Sequence, residues 1–201
     1  KKLDTTSSGI DVTGTINGAG ILSNATNFGE GLLISQDAGT GTLSSANRNT
    51  GFGYEVFDDL TSGDDNTGFG QQALAKLTTG GTNTALGSNA LETNTTGASN
   101  TALGFGSLDA NTTASNNTAV GTNSMGANTT GTSNVGVGRH ALLLNTTGDS
   151  NVAVGFNSLA ANTTADNNTA VGFSALTANT TGAANTAIGR NALLANTTAS
   201  D

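Results

Sequence analysis

Apolar residues in this chain come in adjacent pairs, and the pairs return at a fixed distance. Ala119 and Val120 have counterparts in Gly136 and Val137, then in Ala153 and Val154, each 17 residues on. A second pair follows in six of the nine units, as in Ala141–Leu142 and Ala175–Leu176. Counting each unit from its leading asparagine gives Asn49, Asn66, Asn83, Asn100, Asn117, Asn134, Asn151, Asn168 and Asn185. Nine units of 17 residues fill positions 49–201 without an insertion or deletion, with the consensus N-T-A-V-G-x-x-A-L-x-A-N-T-T-G-x-x. Place five is always glycine, from Gly53 to Gly189, and place thirteen is always threonine, from Thr61 to Thr197. Place four runs from Phe52 through leucines and valines to Ile188; place nine is leucine except at Phe57 and Met125.

This pattern predicts strands. A period of 17 is not a heptad, and one unit holds too little apolar surface for a helix pair. Asparagine, threonine and glycine are poor helix formers. Two short strands per unit, separated by Gly- and Asn-rich turns, fit the spacing, each unit forming one coil of a β-solenoid. Coils stacked at roughly 4.8 Å make a rod about 43 Å long. Stacking accounts for the fixed places: asparagines at places one and twelve can form side-chain amide ladders, and the place-five glycine marks a positive φ or a close backbone approach.

Strand neighbours point to opposite faces. Residues at places three and four therefore face opposite ways, and so, on this reading, do those at places eight and nine. One of each pair fills the coil, and the other forms an apolar stripe outside it, which is an association surface. Two large apolar side chains per 17 residues also bury little against the entropy of ordering the unit. A core shared between chains is the remedy, with Ala85, Ala102, Ala119, Gly51, Gly68 and Gly136 permitting close approach. The expectation is a cyclic homo-oligomer.

The N-T-A-V-G-x-x-A-L frame resembles the head repeats of trimeric autotransporter adhesins, whose shorter unit has a similar Asn-x-Ala-Ile-Gly core. The 17-residue form, with its added N-T-T-G, is closer to repeats of bacteriophage tail-fibre proteins. The leading stretch KLDTTSSGIDVTGTING, Lys2 to Gly18, is similar to segments that introduce such fibres. The resemblance implies an all-β fold, a left-handed parallel β-roll in a homotrimeric fibre. It also implies a non-enzymatic structural and attachment role, the shaft that carries a host-receptor-binding tip. The partners implied are two further copies of the chain, other tail-fibre or baseplate proteins, and a host surface glycan or protein. The location implied is the virion tail fibre, with a bacterial cell surface as the alternative. Two departures stand out. Leu60 and Leu77 occupy place twelve where later units have asparagine, so the first coils are expected to pack differently. The intramolecular chaperone that often ends phage fibres has no counterpart before Asp201, which reads as a piece of a longer fibre. Residues 1–48 fall outside the 17-residue frame; alternation over Gly9–Ile16 and Gly31–Ser35 predicts short strands in a β-rich collar or shaft segment.

Composition narrows the function classes. The chain carries 29 glycines and no proline, cysteine or tryptophan, and its net charge of −8 disfavours nucleic acid as a partner. No apolar run reaches the length of about 18 residues that spans a membrane. The absence of cysteine removes disulfides and thiolate metal sites. The one histidine, His140, has no second imidazole for a zinc site or triad. G-x-G-x-x-A at Gly68–Ala73 and Gly136–Ala141 matches a loose dinucleotide fingerprint, but its residues fall on repeat places three, five and eight. Asp58, Asp59, Asp64 and Asp65 offer oxygen ligands without a calcium-loop pattern, and a solvated turn is expected. N-x-T sequons stand at Asn24, Asn94, Asn111, Asn116, Asn128, Asn145, Asn162, Asn167, Asn179 and Asn196; their regular recurrence favours ladders over glycosylation. No catalytic residue, cofactor or metal site is assigned. A bacterial adhesin and an ice-binding solenoid with threonine columns at places thirteen and fourteen are the rival readings. Places six and seven vary most, the sixth running from Tyr54 to Arg190, and aromatics there suit sugars or a neighbouring chain.

Overall fold

The computed structural model describes residues 44–200 and, before them, the strands β1 (Asp4–Thr6), β2 (Gly9–Asp11), β3 (Thr15–Ile16), β4 (Ala19–Ala25) and β5 (Phe28–Ser35) as backbone elements. A short β6 (Ala46–Asn47) precedes nine three-residue strands, one in each unit at places two to four. These are β7 (Thr50–Phe52), β8 (Thr67–Phe69), β9 (Thr84–Leu86), β10 (Thr101–Leu103), β11 (Thr118–Val120), β12 (Val135–Val137), β13 (Val152–Val154), β14 (Thr169–Val171) and β15 (Thr186–Ile188). Each lies parallel to the next at an offset of one unit, Thr101 opposite Thr118 and Val137 opposite Val154. The described residues contain no helix, and the repeats form an all-β parallel solenoid. β5 extends the sheet parallel to β7, with Leu33 opposite Gly51, and β4 and β3 follow antiparallel. The strand expected at Gly31–Ser35 lies within β5. That expected over Gly9–Ile16 is divided between β2 and β3, with residues 12–14 outside the described residues.

One strand per unit, not two, is the first correction. Places seven, nine and seventeen are left-handed at every described position, for example Asn123 (φ 51°), Met125 (φ 52°) and Asn116 (φ 64°). Such a residue costs roughly 1–2 kcal/mol unless it is glycine, asparagine or aspartate. Hydrogen bonds hold the backbone there. Gln72 N–H donates to the Tyr54 carbonyl of the coil before (2.8 Å), and Leu74 N–H donates to the Ala90 carbonyl of the coil after (3.1 Å). The left-handed residues thus turn the chain sharply while keeping it bonded to both neighbouring coils. They also bring places eight and nine to the same side, so Ala90 and Leu91 are both fully buried. The second apolar pair belongs to a turn and contributes nothing to an external stripe.

The interior is built from places one, three, eight, nine, twelve and fifteen. At place one the amide ladder is present: Asn66 Oδ1 accepts from the backbone N–H of Asn83 (2.9 Å) and from its Nδ2 (3.1 Å), while Asn66 Nδ2 donates to the Gly80 carbonyl (3.0 Å). At place twelve Asn145 Nδ2 donates to Asn128 Oδ1 (2.8 Å) and to the Gly148 carbonyl (3.0 Å). These asparagines are fully buried and paired on both sides, the condition under which buried amides do not destabilise a core. Leu60 and Leu77 replace the second ladder in the first two units with buried apolar packing. Place thirteen is fixed by a third column, in which Thr129 Oγ1 donates to the Thr146 carbonyl (3.0 Å) and its equivalents do the same.

The small residues at place three are interior. Ala85, Ala102 and Ala119 are fully buried, so they let one coil's own walls approach, not another chain; this corrects the sequence reading. Their size is matched to the place-nine side chain of the preceding coil. A Cβ on Gly136 would lie 3.2 Å from Met125 Cγ and 2.6 Å from Ser124 Oγ. Serine at place eight is compatible with alanine in the next coil, since Ser158 bonds the Ala170 carbonyl (2.8 Å) above Leu159. Methionine is therefore the residue that demands glycine. Gly136→Ala is expected to lower stability by about 1–3 kcal/mol through overpacking, and Met125→Leu in the same chain to restore most of it. Denaturant melts of the two single variants and the double variant check this coupling.

Candidate interaction surface

With places three, eight and nine turned inward, places two, four and six remain outside on the strand side of the rod. Place four is the apolar column. Phe52, Phe69, Leu86 and Leu103 are 41–49% exposed, Ile188 is 72% exposed, and Val120, Val137, Val154 and Val171 are half-buried. The strand alternation places the other member of each pair inside, as the sequence pattern requires: Ala153 is buried beneath the face that carries Val154. Parallel pairing in exact register stacks the column without a break, with the rings of Phe52 and Phe69 5.0 Å apart. Val135 and Val152 at place two widen it in the middle of the rod.

Place six forms a second column just past the glycine bend. Phe156 and Phe173 stack at 5.3 Å, with the Arg139 guanidinium 5.6 Å over the first ring and that of Arg190 5.7 Å over the second. His140, left-handed at place seven, is half-buried and tilts against Phe156 at 6.3 Å.

Elsewhere the surface is mainly polar, apart from the exposed Leu144, Leu193 and Leu194. Place fourteen, including Thr79, Thr96, Thr130 and Thr147, is exposed, whereas the place-thirteen hydroxyls are committed to carbonyls of the next coil. Asp64 and Asp65 face Arg48 at 3.8 Å and 2.6 Å, and Lys76 sits 3.3 Å from Asp59 and 3.7 Å from Asp58. The Arg48 hydrogen bond holds the Asp65 carboxyl below the usual range, and Asp59 raises the Lys76 ammonium. The four aspartates thus lie along surface ion pairs, and no group of three or more potential metal ligands occurs among the described residues. Gly68 and Gly136 lie in the core, Gly70 and Gly138 at the bend, and Ala73 and Ala141 in the core, so the solenoid uses every position of the G-x-G-x-x-A matches. The sequon asparagines at place twelve from Asn94 to Asn179 are buried in their ladder. Asn116 and Asn167 are exposed, and the Asn24 side chain lies outside the described residues.

Asp109, at place ten, is the carboxylate that burial pushes upward, with the Glu92 charge one coil away adding to the effect. A carboxyl raised in the folded state binds its proton more tightly than in the unfolded chain. It therefore costs stability progressively as pH rises above the unfolded value of 3.8. Asp109→Asn is expected to raise the melting temperature at pH 7 and leave it unchanged at pH 3. Melts at the two values check the sign.

The sequence missed the left-handed places. Asparagine at place seven in Asn89, Asn123, Asn157 and Asn191 carried a signal for them, but leucine at place nine concealed its own. It also missed the extent of the coil geometry. Ser44 N–H bonds the Thr61 carbonyl (2.8 Å) and Arg48 pairs with Asp65, both at the 17-residue offset, so residues 44–48 stand at places thirteen to seventeen of a preceding coil.

No helix among the described residues is long and apolar enough to cross a membrane. Comparison with protein-family models, curated proteins and solved structures found no match to this chain.

Proposed function

We propose that this chain is a structural and attachment protein, the shaft of a homotrimeric fibre of bacteriophage tail-fibre type, presenting a host-receptor-binding tip. The observation that carries the reading is the unbroken place-four column, from Phe52 to Ile188, on the outside of a coil whose place-nine side chains from Phe57 to Leu176 are buried. Three parallel rods that turn this column toward a common axis cover it along its whole length. In that arrangement each rod is a left-handed β-roll, by analogy with the adhesin heads whose repeat the sequence resembles. Its mechanism is mechanical. Backbone bonds and the asparagine and threonine columns stiffen each rod along its length, and the shared apolar seam stiffens the bundle against bending. The partners are two copies of the chain, neighbouring tail-fibre or baseplate proteins, and a host surface glycan or protein. The location is the virion.

A bacterial surface adhesin of the same architecture is the rival, and the two differ in where the protein is found. Gold-labelled antibody against the chain is expected to decorate tail fibres in electron micrographs of virions. Label confined to bacterial envelopes overturns the phage assignment in favour of the adhesin. An ice-binding role fits less well, because the place-thirteen hydroxyls are engaged and one threonine column of the pair faces water.

A further inference from the structure

We infer that the place-six column formed by Arg139, Phe156, Phe173 and Arg190 is a binding site for a linear acidic polysaccharide lying along the rod. Two independent features point there.

The first is charge. The chain is acidic overall, at −8. Within the repeats, Arg48 and Lys76 are paired with aspartates. Among the described residues neither Arg139 nor Arg190 has a carboxylate within 4 Å; each guanidinium rests on a phenylalanine ring instead. Two outward cations on one column, three coils or about 14 Å apart at the usual strand spacing, are left to be met by anions from outside.

The second is the state of the rings. The faces of Phe156 and Phe173 cover each other at 5.3 Å with 12° between planes, and the guanidiniums cover the outer faces. What the stack offers a ligand is ring edges, the positive part of the aromatic quadrupole. A column of guanidinium, edge, edge and guanidinium is positive along its length and suits an oxygen-rich, sparsely charged strand. Duplex nucleic acid carries charge far more densely, about one per 1.7 Å, and the acidic body of the rod repels it. A sugar chain with one acid group per few ångströms of apolar and hydroxyl surface matches two separated cations. Thr122, one coil before Arg139 at place six, and Asn157, Ser174 and Asn191 at the adjacent place seven are exposed or half-exposed polar residues able to pair with its hydroxyls.

The inference requires place six to remain open when place four is covered, so it rests on the proposed assembly while being tested separately from it. Biolayer interferometry on the immobilised full chain uses polygalacturonate as the carboxylate probe, dextran sulfate as the sulfate probe and neutral dextran as control, with sedimentation run in parallel. Saturable binding of one or both acidic polymers, weakened at least tenfold by R139Q/R190Q and unchanged by K76Q, is the expected result. Binding of one polymer alone identifies the acid group. Binding should weaken with added salt, since ion pairs are formed, and F156A/F173A should weaken it too by releasing both guanidiniums. Absence of saturable binding by the folded protein, equal binding of neutral dextran, or unchanged affinity in R139Q/R190Q overturns the inference. A changed assembly mass in R139Q/R190Q also overturns it, by assigning the column to a contact between chains. The trimer itself stands or falls on the mass of the unsubstituted protein.

Discussion

Gly121→Ala is expected to destabilise the rod by at least about 3 kcal/mol. Gly121 has φ +128°, a conformation essentially confined to glycine. A Cβ there would stand 2.7 Å from both the carbonyl carbon and oxygen of Gly138 in the next coil. Those are backbone atoms, so no rotamer change relieves the contact. Moving the backbone would disturb the bond from Gly138 N–H to the Val120 carbonyl (2.7 Å), which ties the same two coils together at the end of the strand. Strain and clash therefore act at one point. Gly189 separates them: it has φ +122° and nothing within 4 Å of its would-be Cβ. Gly189→Ala is accordingly expected to cost less than Gly121→Ala, and denaturant unfolding of both measures the contribution of the stacked neighbour. Equal losses would mean that strain alone fixes the glycine.

V137D/V154D is expected to convert the proposed trimer to single chains while leaving each chain folded. Both valines are on the outer side of β12 and β13, with Gly136 and Ala153 on the inner side, so the coil interior is untouched. In three rods sharing a seam the substitution places six carboxylates along the common axis. Burying a charge without a partner costs several kcal/mol, and like charges converging there add to it. Association should weaken by more than about a thousandfold. T147D, a charge on the exposed place-fourteen column, is the matched control and should leave the mass unchanged. Circular dichroism reports the fold of each variant and sedimentation its mass. Loss of the β signal together with mass in V137D/V154D would show that place four supports the coil itself.

The fixed places of the repeat carried most of the architecture. Asparagine, threonine and glycine recur because each does something a coil needs at that point: Asn128 ladders with Asn145, Thr129 bonds the Thr146 carbonyl, and Gly121 admits Gly138. Strand alternation correctly put Ala153 and Val154 on opposite faces, but which of the two faces inward was read only from the coil itself. The same rule failed at Ala141 and Leu142, because alternation holds for extended backbone and Leu142 is left-handed at φ 52°. Leucine is a poor candidate for that conformation, and nothing in its side chain signals it; inter-coil hydrogen bonds and burial select it there. The start of the coil was hidden for a related reason. Arg48 stands at a place that tolerates any residue able to turn, and its pairing with Asp65, with the Ser44–Thr61 backbone bond, reveals the register. The candidate surface was legible as a stripe but not in its chemistry. Arg139, Phe156, Phe173 and Arg190 are scattered in sequence and become a column only when the coils stack.

The claim on which the functional reading depends is that the outer apolar column is covered by other copies of the chain. Sedimentation equilibrium of the purified protein at micromolar concentration, with folding confirmed on the same sample, tests it directly. The account predicts a single species of three times the 19.6 kDa of one chain. A folded species at 19.6 kDa, its column of phenylalanine, leucine and valine in contact with water, would contradict it.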